Sequence, residues 1–501
     1  MLDRRLFKLI LFFLLLGLSL LCCCFYLFWE FSAARPVERI SPQTLAGMEH
    51  KYLVDFSMLR YKGQPAPFDK NNEVLLLPCD LDSEQLFEGL SCLDMQCRLY
   101  LVDEPASRDL SAAMASGAAL HLAVCRGNSY QLVNLAVTSF PVLSLQMSSS
   151  FIDDRGHAAY RGEVHLSAPG DMESLSSICQ WNVRGVSSAT REKKAWKLEL
   201  QDIGGSSTQA RMLDLGSDSD WILNSMVFDT LNMREMLSME LWNSYIYPDY
   251  QPYRMSQARY VELLFDGEYM GLYMLQNRID EEYLGLDKSR SMLFKHGTRN
   301  EELSLQENYE LVYSPYSFER SYELLDQALS DTSSIDIMSL MNMQLYIDYL
   351  SSWDNAKYKN MYFIVDVLDE GYRISYLPWD TDLSLGIDWN DSRGSVLDYE
   401  ASVADTLMHR EYRRLLSSRP EFERELALLW QQQRRDVYSE ESLLSLADSI
   451  HARLEASGAL LRDEMRWGST YRWEDSFEQL RGFISTRLDY LDRHFAAILE
   501  Q

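Results

Sequence analysis

With 501 residues, 47% hydrophobic and 24% charged, the chain has room for two large domains or several small ones, and its composition excludes a disordered, collagen-like or coiled-coil protein. Its 75 acidic against 47 basic residues leave a formal charge of −28 at pH 7, which repels phosphate backbones and argues against nucleic acid as a partner. The same excess suits cationic partners, or a site where carboxylates hold a metal.

Arg4, Arg5 and Lys8 precede an uncharged run from Leu9 to Trp29. As a helix these 21 residues span about 30 Å, the thickness of a hydrocarbon core. The positive flank predicts a cytoplasmic tip and a single-pass anchor over 1–35, with everything after it extracytoplasmic. A cleaved signal peptide ending at Ser32-Ala33-Ala34 is the alternative. Residues 36–48 read as a stalk. They open a β-rich domain, 36–139, in which short apolar runs broken by turn residues (Val74–Pro78, Arg98–Val102, Leu120–Val124, Gln131–Leu135) predict a small β-sandwich. Cys79, Cys92, Cys97, Cys125 and Cys179 show no zinc-type pairing; Cys92 and Cys97 are spaced either for a local bridge or for two buried thiols.

The second domain, 140–501, opens with strands at Val142–Met147, Glu163–Leu166, Gln180–Val183 and Ala195–Leu200. Met233, Leu237, Leu241 and Tyr245 mark a helix stripe. Arg259–Phe265 and Glu268–Leu275 flank Asp266-Gly267, a two-residue hairpin turn. Ile337, Leu340, Met343, Ile347 and Leu350 share one helix face, and a second hairpin runs Met361–Val367 and Tyr372–Tyr376. From about 395 the chain reads as helical: Leu407–Leu416, Phe422–Gln433, Glu440–Arg462 and Asp475–Leu499. The fold class is therefore α+β.

The second hairpin carries the chemistry. With a two-residue loop Asn360 faces Trp379, next to Asp380; with a three-residue loop it faces Asp380 itself. Either register joins Asn360 and Asp380 at the open end, with Asp382 two residues on and Asp354 six residues before Asn360. An amide and carboxylates so placed can hold Mg²⁺, with a further Asp as base, the logic of a protein kinase. The same side chains can also simply cap a helix and close turns.

Five blocks of sequence resemble the CotH family of atypical, spore-coat kinases, in order and over about 140–500. They are Trp181–Ser188 with Lys193–Leu198; Asp220–Asn224 with Asp229 and Met233-Arg234; Val261–Tyr273; Trp353-Asp354 with Lys359–Tyr362; and Pro378–Gly386. The resemblance implies a divergent protein-kinase-like fold that binds ATP with Mg²⁺ or Mn²⁺ and phosphorylates Ser or Thr of surface or coat proteins. It assigns Asp354 as the catalytic base and Asn360 and Asp380 as metal ligands, with Asp382 as a further ligand or an orienting residue. Lys194, or else Lys197, matches the phosphate-binding lysine. Arg184 either touches phosphate or fixes its loop, and Ser187 and Ser188 can bond phosphate oxygens. Asp229 and Arg234 read as a structural ion pair. Where the family carries a Glu four residues past Tyr273, this chain has Asn277, which leaves Glu240 or Glu262 as a substitute partner for the lysine and a pseudokinase or adhesin-like binding protein as the alternative function.

The anchor and its flank predict that protease added to intact cells degrades the chain beyond residue 36. Full protection of that part would overturn the outward orientation.

Overall fold

The computed structural model describes residues 36–81, 87–153, 156, 158–185, 187–245, 253–297, 303–352, 355, 360–387, 415, 418, 419, 421–468 and 473–501. The apolar run Leu9–Trp29, Asp354 and most of the helix expected over Leu407–Leu416 lie outside these residues. Among those described, no helix is long and apolar enough to cross a membrane. The chain forms two units: the described residues up to Leu145 with His165–Ser176 and Leu264–Tyr269, and Gln146–Val164, Ser177–Leu263 and Met270–Gln501.

The first unit contains β1 (Glu38–Ile40), α1 (Pro42–Ala46), β2 (Glu49–His50), β3 (Leu59–Tyr61), β4 (Gln64–Pro65), β5 (Phe68–Asp69), β6 (Val74–Pro78), β7 (Leu90–Cys92), β8 (Arg98–Val102), α2 (Leu110–Ser116), β9 (Leu120–Arg126) and β10 (Ser129–Thr138). The sandwich expected here takes a different form. A seven-stranded sheet runs β1-β8-β9-β10-β6-β5, with β2 beside β10, and a small sheet runs β4-β3-β7. Both contribute to one core containing Leu59, Leu75, Leu77, Leu90, Leu101, Leu122 and Val133. The large sheet is mixed: β10 runs parallel to β6 and β2, and β8 to β1. Short apolar runs cannot reveal that, because a strand buried on both faces, as Leu75–Pro78 is, reads alike in either orientation. Residues expected as a stalk instead form β1 and α1, the latter capped by the Ser41 hydroxyl accepting from Thr44 N. Among the described residues Cys79, Cys92, Cys97, Cys125 and Cys179 are free thiols.

After it come β11 (Val142–Ile152), β12 (Ala158–Ser167), β13 (Leu175–Arg184), β14 (Ala195–Gln201), β15 (Ala210–Arg211), β16 (Ser217–Asp218), β17 (Asp220–Asn224), α3 (Arg234–Ser244), β18 (Ala258–Phe265) and β19 (Glu268–Asn277). Strands β11-β12-β13-β14-β17-β19-β18 close into a barrel. Cross-strand partners share a face, so the register divides the barrel's residues cleanly. One row is Trp181–Leu198–Trp221–Asn277, all buried, and fills the interior. The adjacent row, Asn182–Lys197–Ile222–Gln276, faces outward. The turn between β18 and β19 has positive φ at both Asp266 (50°) and Gly267 (78°), as its sequence requires.

The remainder holds β20 (Ser291–His296), α4 (Leu305–Asn308), β21 (Tyr309–Tyr313), α5 (Phe318–Ser330), α6 (Ile337–Leu350), β22 (Met361–Val367), β23 (Tyr372–Pro378), α7 (Phe422–Gln433), α8 (Glu440–Ser457), α9 (Ala459–Trp467) and α10 (Trp473–Glu500). Strands β21-β20-β22-β23 form a separate sheet. The single helix expected over Glu440–Arg462 breaks at Gly458, whose φ of 67° ends α8 in a left-handed cap. Helix α9 then grips the barrel. Arg462 makes two bonds to the buried Glu262 carboxylate (2.7 and 2.8 Å), and Asp463 accepts from Lys193 Nζ and Leu272 N, both at 2.8 Å. Gly271, φ +99°, lets Asp463 in, since a Cβ there would overlap its carboxylate.

Helix α6, expected to be buried on one face, is buried on nearly every side. It carries Asp348, whose Oδ1 accepts from Gln344 Nε2 (2.7 Å) and whose backbone carbonyl accepts from Arg487 of α10 (2.9 and 2.6 Å). Burial pushes the Asp348 carboxyl up to about 8, although Arg487 and Gln344 pull the other way. The native state therefore binds a proton that the unfolded chain, with its ordinary value of 3.8, releases early. That stabilisation is complete below about pH 4 and is lost as pH rises through 8, at about 1.4 kcal/mol per pH unit between the two values. Urea denaturation of Asp348→Asn, which needs no proton, should show the variant gaining on wild type from pH 5 to 8 and no further change above 9.

Candidate functional site

Strands β22 and β23 pair in the two-residue register: Met361 faces Pro378, Val367 faces Tyr372, and Leu368 N donates to Gly371 O at 3.1 Å. At the other end Trp379 N donates to Asn360 O (2.9 Å), so Asn360 stands beside Asp380. Both have left-handed backbones, φ 58° and 57°, a conformation Asn and Asp tolerate better than most residues and one that clusters at functional sites. Asn355, fully buried, fixes this end. Its Nδ2 donates to Asn360 O (2.6 Å) and Trp379 O (2.9 Å), and its Oδ1 is held by the Ser352 hydroxyl. The following segment is tied down as well: Leu385 N donates to Leu350 O (2.8 Å), and Arg234 Nε to Leu385 O (3.4 Å). Arg234 is itself anchored by Asp229 at 2.6 Å, and Asp229 also accepts from Met233 N and Arg234 N at the start of α3. The expected structural ion pair is thus also a helix cap.

Helix α3 brings in a residue that sequence reasoning missed. Glu235 is buried, with Oε2 accepting from Asn224 Nδ2 at 2.5 Å; its Oε1 has no hydrogen-bond partner among the described residues. Burial, then the neighbouring Asp380 carboxylate, push it up to about 8, against Asn224 and Arg184. Burial and the carboxylates of Asp380, Glu235 and Asp229 hold Asp382 well above the usual range. Opposite them stand two cations. The Arg184 guanidinium lies 5.5 Å and Lys295 Nζ 5.8 Å from the Trp379 ring centre. Burial and Arg184 lower Lys295, while Asp380 and Glu310 raise it. Carboxylates that repel one another beside an amide are a donor set for a hard cation, and the two cations nearby suit an anionic ligand. Among the described residues no three of His, Cys, Asp and Glu form a ready-made metal cage; Mg²⁺ needs only one or two carboxylates with water and phosphate oxygens.

The family model described as CotH kinase protein matches residues 182–491, more than half of the chain. The protein belongs to the CotH kinase family. A search of curated proteins finds no match.

Within this CotH kinase fold the phosphate-side candidates separate. Arg184 ends β13 and reaches Trp379. Gly185, φ +85°, turns the loop tightly, and a Cβ there would overlap Ser188 Oγ; that hydroxyl donates to Arg184 O (3.3 Å). Ser187 accepts at its carbonyl from Thr190 Oγ1 (2.7 Å). Lys194 Nζ donates to Ala189 O (2.7 Å), closing its own loop. Lys197 pairs with Asp220 (2.8 Å) on the next strand. Among the described residues neither lysine bonds Asp380; Arg184 acts on Glu235, and Asp380 acts on Lys295. Asn277 lies in the barrel's interior row, donating to Leu215 O (3.0 Å), so a Glu there would sit inside the barrel. Glu262, proposed as its substitute, is committed to Arg462. The acid beside the site is Glu235. Its signal was adjacency to Met233-Arg234; that of Lys295 was a lone charge in the apolar strand Ser291–His296. Asn355 gave none.

Truncating Asn355 removes the bracket between Asn360 O, which keeps its bond from Trp379 N, and Trp379 O, which loses its Asn355 donor. Asn355→Ala should lower stability in urea by about 2 kcal/mol and weaken Mn²⁺ binding, read by calorimetry, whereas Ser→Ala changes on exposed loops should do neither.

Proposed function

We propose that this CotH family member is a metal-dependent phosphotransferase that moves the γ-phosphoryl group of ATP to a Ser or Thr hydroxyl of a surface or coat protein, and that it works outside the cell, anchored by Leu9–Trp29. The observation that supports this best is the pairing of Asn360 with Asp380, fixed by Asn355, facing Arg184 and Lys295. Asn360 and Asp380 would hold Mg²⁺ or Mn²⁺, with Asp382 and Glu235 behind them; the cation would supply neutralisation of the phosphate charge. Arg184 and Lys295 attract the phosphate chain. Asp354 accepts the proton of the attacking hydroxyl as its oxygen bonds to the γ-phosphorus and the bond to the bridging oxygen of ADP breaks. The −28 charge favours a cationic protein substrate and disfavours nucleic acid.

The test uses the full chain in detergent with γ- and α-labelled ATP and Mn²⁺ or Mg²⁺. Asp354→Asn should keep ATP affinity and cut transfer by about 10²-fold or more. Asp380→Ala should abolish metal-dependent ATP binding. Transfer of α-label instead of γ-label would replace phosphoryl by nucleotidyl transfer. Wild type that binds ATP without transferring either label would leave a pseudokinase or adhesin-like binding protein.

A further inference from the structure

We propose that Gln276 reads the nucleotide base, its side-chain amide pairing with the amino group of adenine and the adjacent ring nitrogen. This rests on the reading of the site as an ATP-dependent one and adds to it a specificity-determining residue.

Gln276 lies on β19 directly opposite Ile222 and has no solvent exposure. Neither its Nε2 nor its Oε1 has a hydrogen-bond partner among the described residues. A buried amide with both halves unpaired is rare in folded proteins, because each half gives up its bond to water and gains nothing. A ligand that supplies one donor and one acceptor side by side removes both deficits.

The register says where that ligand would lie. Gln276, Ile222, Lys197 and Asn182 form one outward row of the barrel. Two residues along the same face comes the row Met274, Asn224, Ala195 and Arg184, and Asn224 holds Glu235. From Gln276 to Arg184 is three strand spacings across and two residues along, about 16 Å measured along the curved sheet and less in a straight line, within the length of an extended nucleoside triphosphate. With its phosphates at Arg184 and Asp380, such a molecule has its base end at Gln276.

The backbone there is already committed. Asn277 N donates to Gln257 O (3.2 Å) and Asn277 O accepts from Ser256 Oγ (2.9 Å). The side chain of Gln276 is left to contact the base. Adenine offers an amino donor beside a ring-nitrogen acceptor, the pattern a carboxamide matches with two bonds.

Binding to the full chain in detergent with Mg²⁺ tests this, comparing ATP, purine riboside triphosphate (which lacks the amino group) and inorganic tripolyphosphate. Wild type should bind ATP about tenfold or more tighter than purine riboside triphosphate. Gln276→Met, which keeps the volume, should bind the two equally and leave tripolyphosphate affinity unchanged. Its melting temperature without nucleotide should not fall, since the unpaired amide is gone; Gln276→Leu repeats the measurement with a different shape. Retention of the ATP preference in either variant, no preference in wild type, or a fall of several degrees in both variants would overturn the assignment. Wild type that binds neither ATP nor tripolyphosphate would instead overturn the phosphotransferase reading and, with it, this one.

Discussion

Two hydrogen bonds from one buried amide set the geometry on which the candidate chemistry depends. Asn355 Nδ2 spans the carbonyls of Asn360 and Trp379, holding two chain segments at the open end of a hairpin where ladder bonding stops. Without that bracket the left-handed Asn360 and Asp380 would be free to relax into commoner backbone regions. With it, an amide and a carboxylate are presented together, and the strain in their backbones is offset by bonds made elsewhere.

Around this point the charges are arranged in opposition. Asp380 raises the proton affinity of the buried Glu235 and Asp382, and Glu235 raises that of Asp382, while the Trp379 ring lies near both Arg184 and Lys295. Other buried charges of the unit meet in direct ion pairs: Arg234 with Asp229, Arg462 with Glu262, Lys193 with Asp463. Like charges buried side by side mark a candidate ligand site. The matched pairs have another task, joining α9 and α3 to the barrel that carries Arg184.

The two hairpins were legible because their signals are local. Asp266-Gly267 needs positive φ at both positions, and Asp369–Gly371 closes the second hairpin in a register that brings residues 360 and 380 together whichever loop length applies. The family blocks were legible for the same reason. The mixed sheet of the first unit was not, because strand orientation leaves no mark on short apolar runs. The position of Asn277 was not either: a sequence motif suggested a lysine partner, and the barrel's closure turns that position inward.

By itself, then, the sequence determined the α+β class, the membership of the CotH kinase family and the meeting of Asn360 with Asp380. These follow from turn chemistry, from short apolar runs and helical stripes, and from motifs a few residues long. Only the tertiary structure decided which acid and which cations stand beside that pair. Glu235, Lys295 and Arg184 lie on three different elements, separated from Asp380 by 145, 85 and 196 residues. Their proximity comes from barrel closure and from helix α3 docking through Arg234 and Asn224, and burial then sets their proton affinities. Such contacts depend on distance in space and on dielectric environment, neither of which is written in the order of the residues.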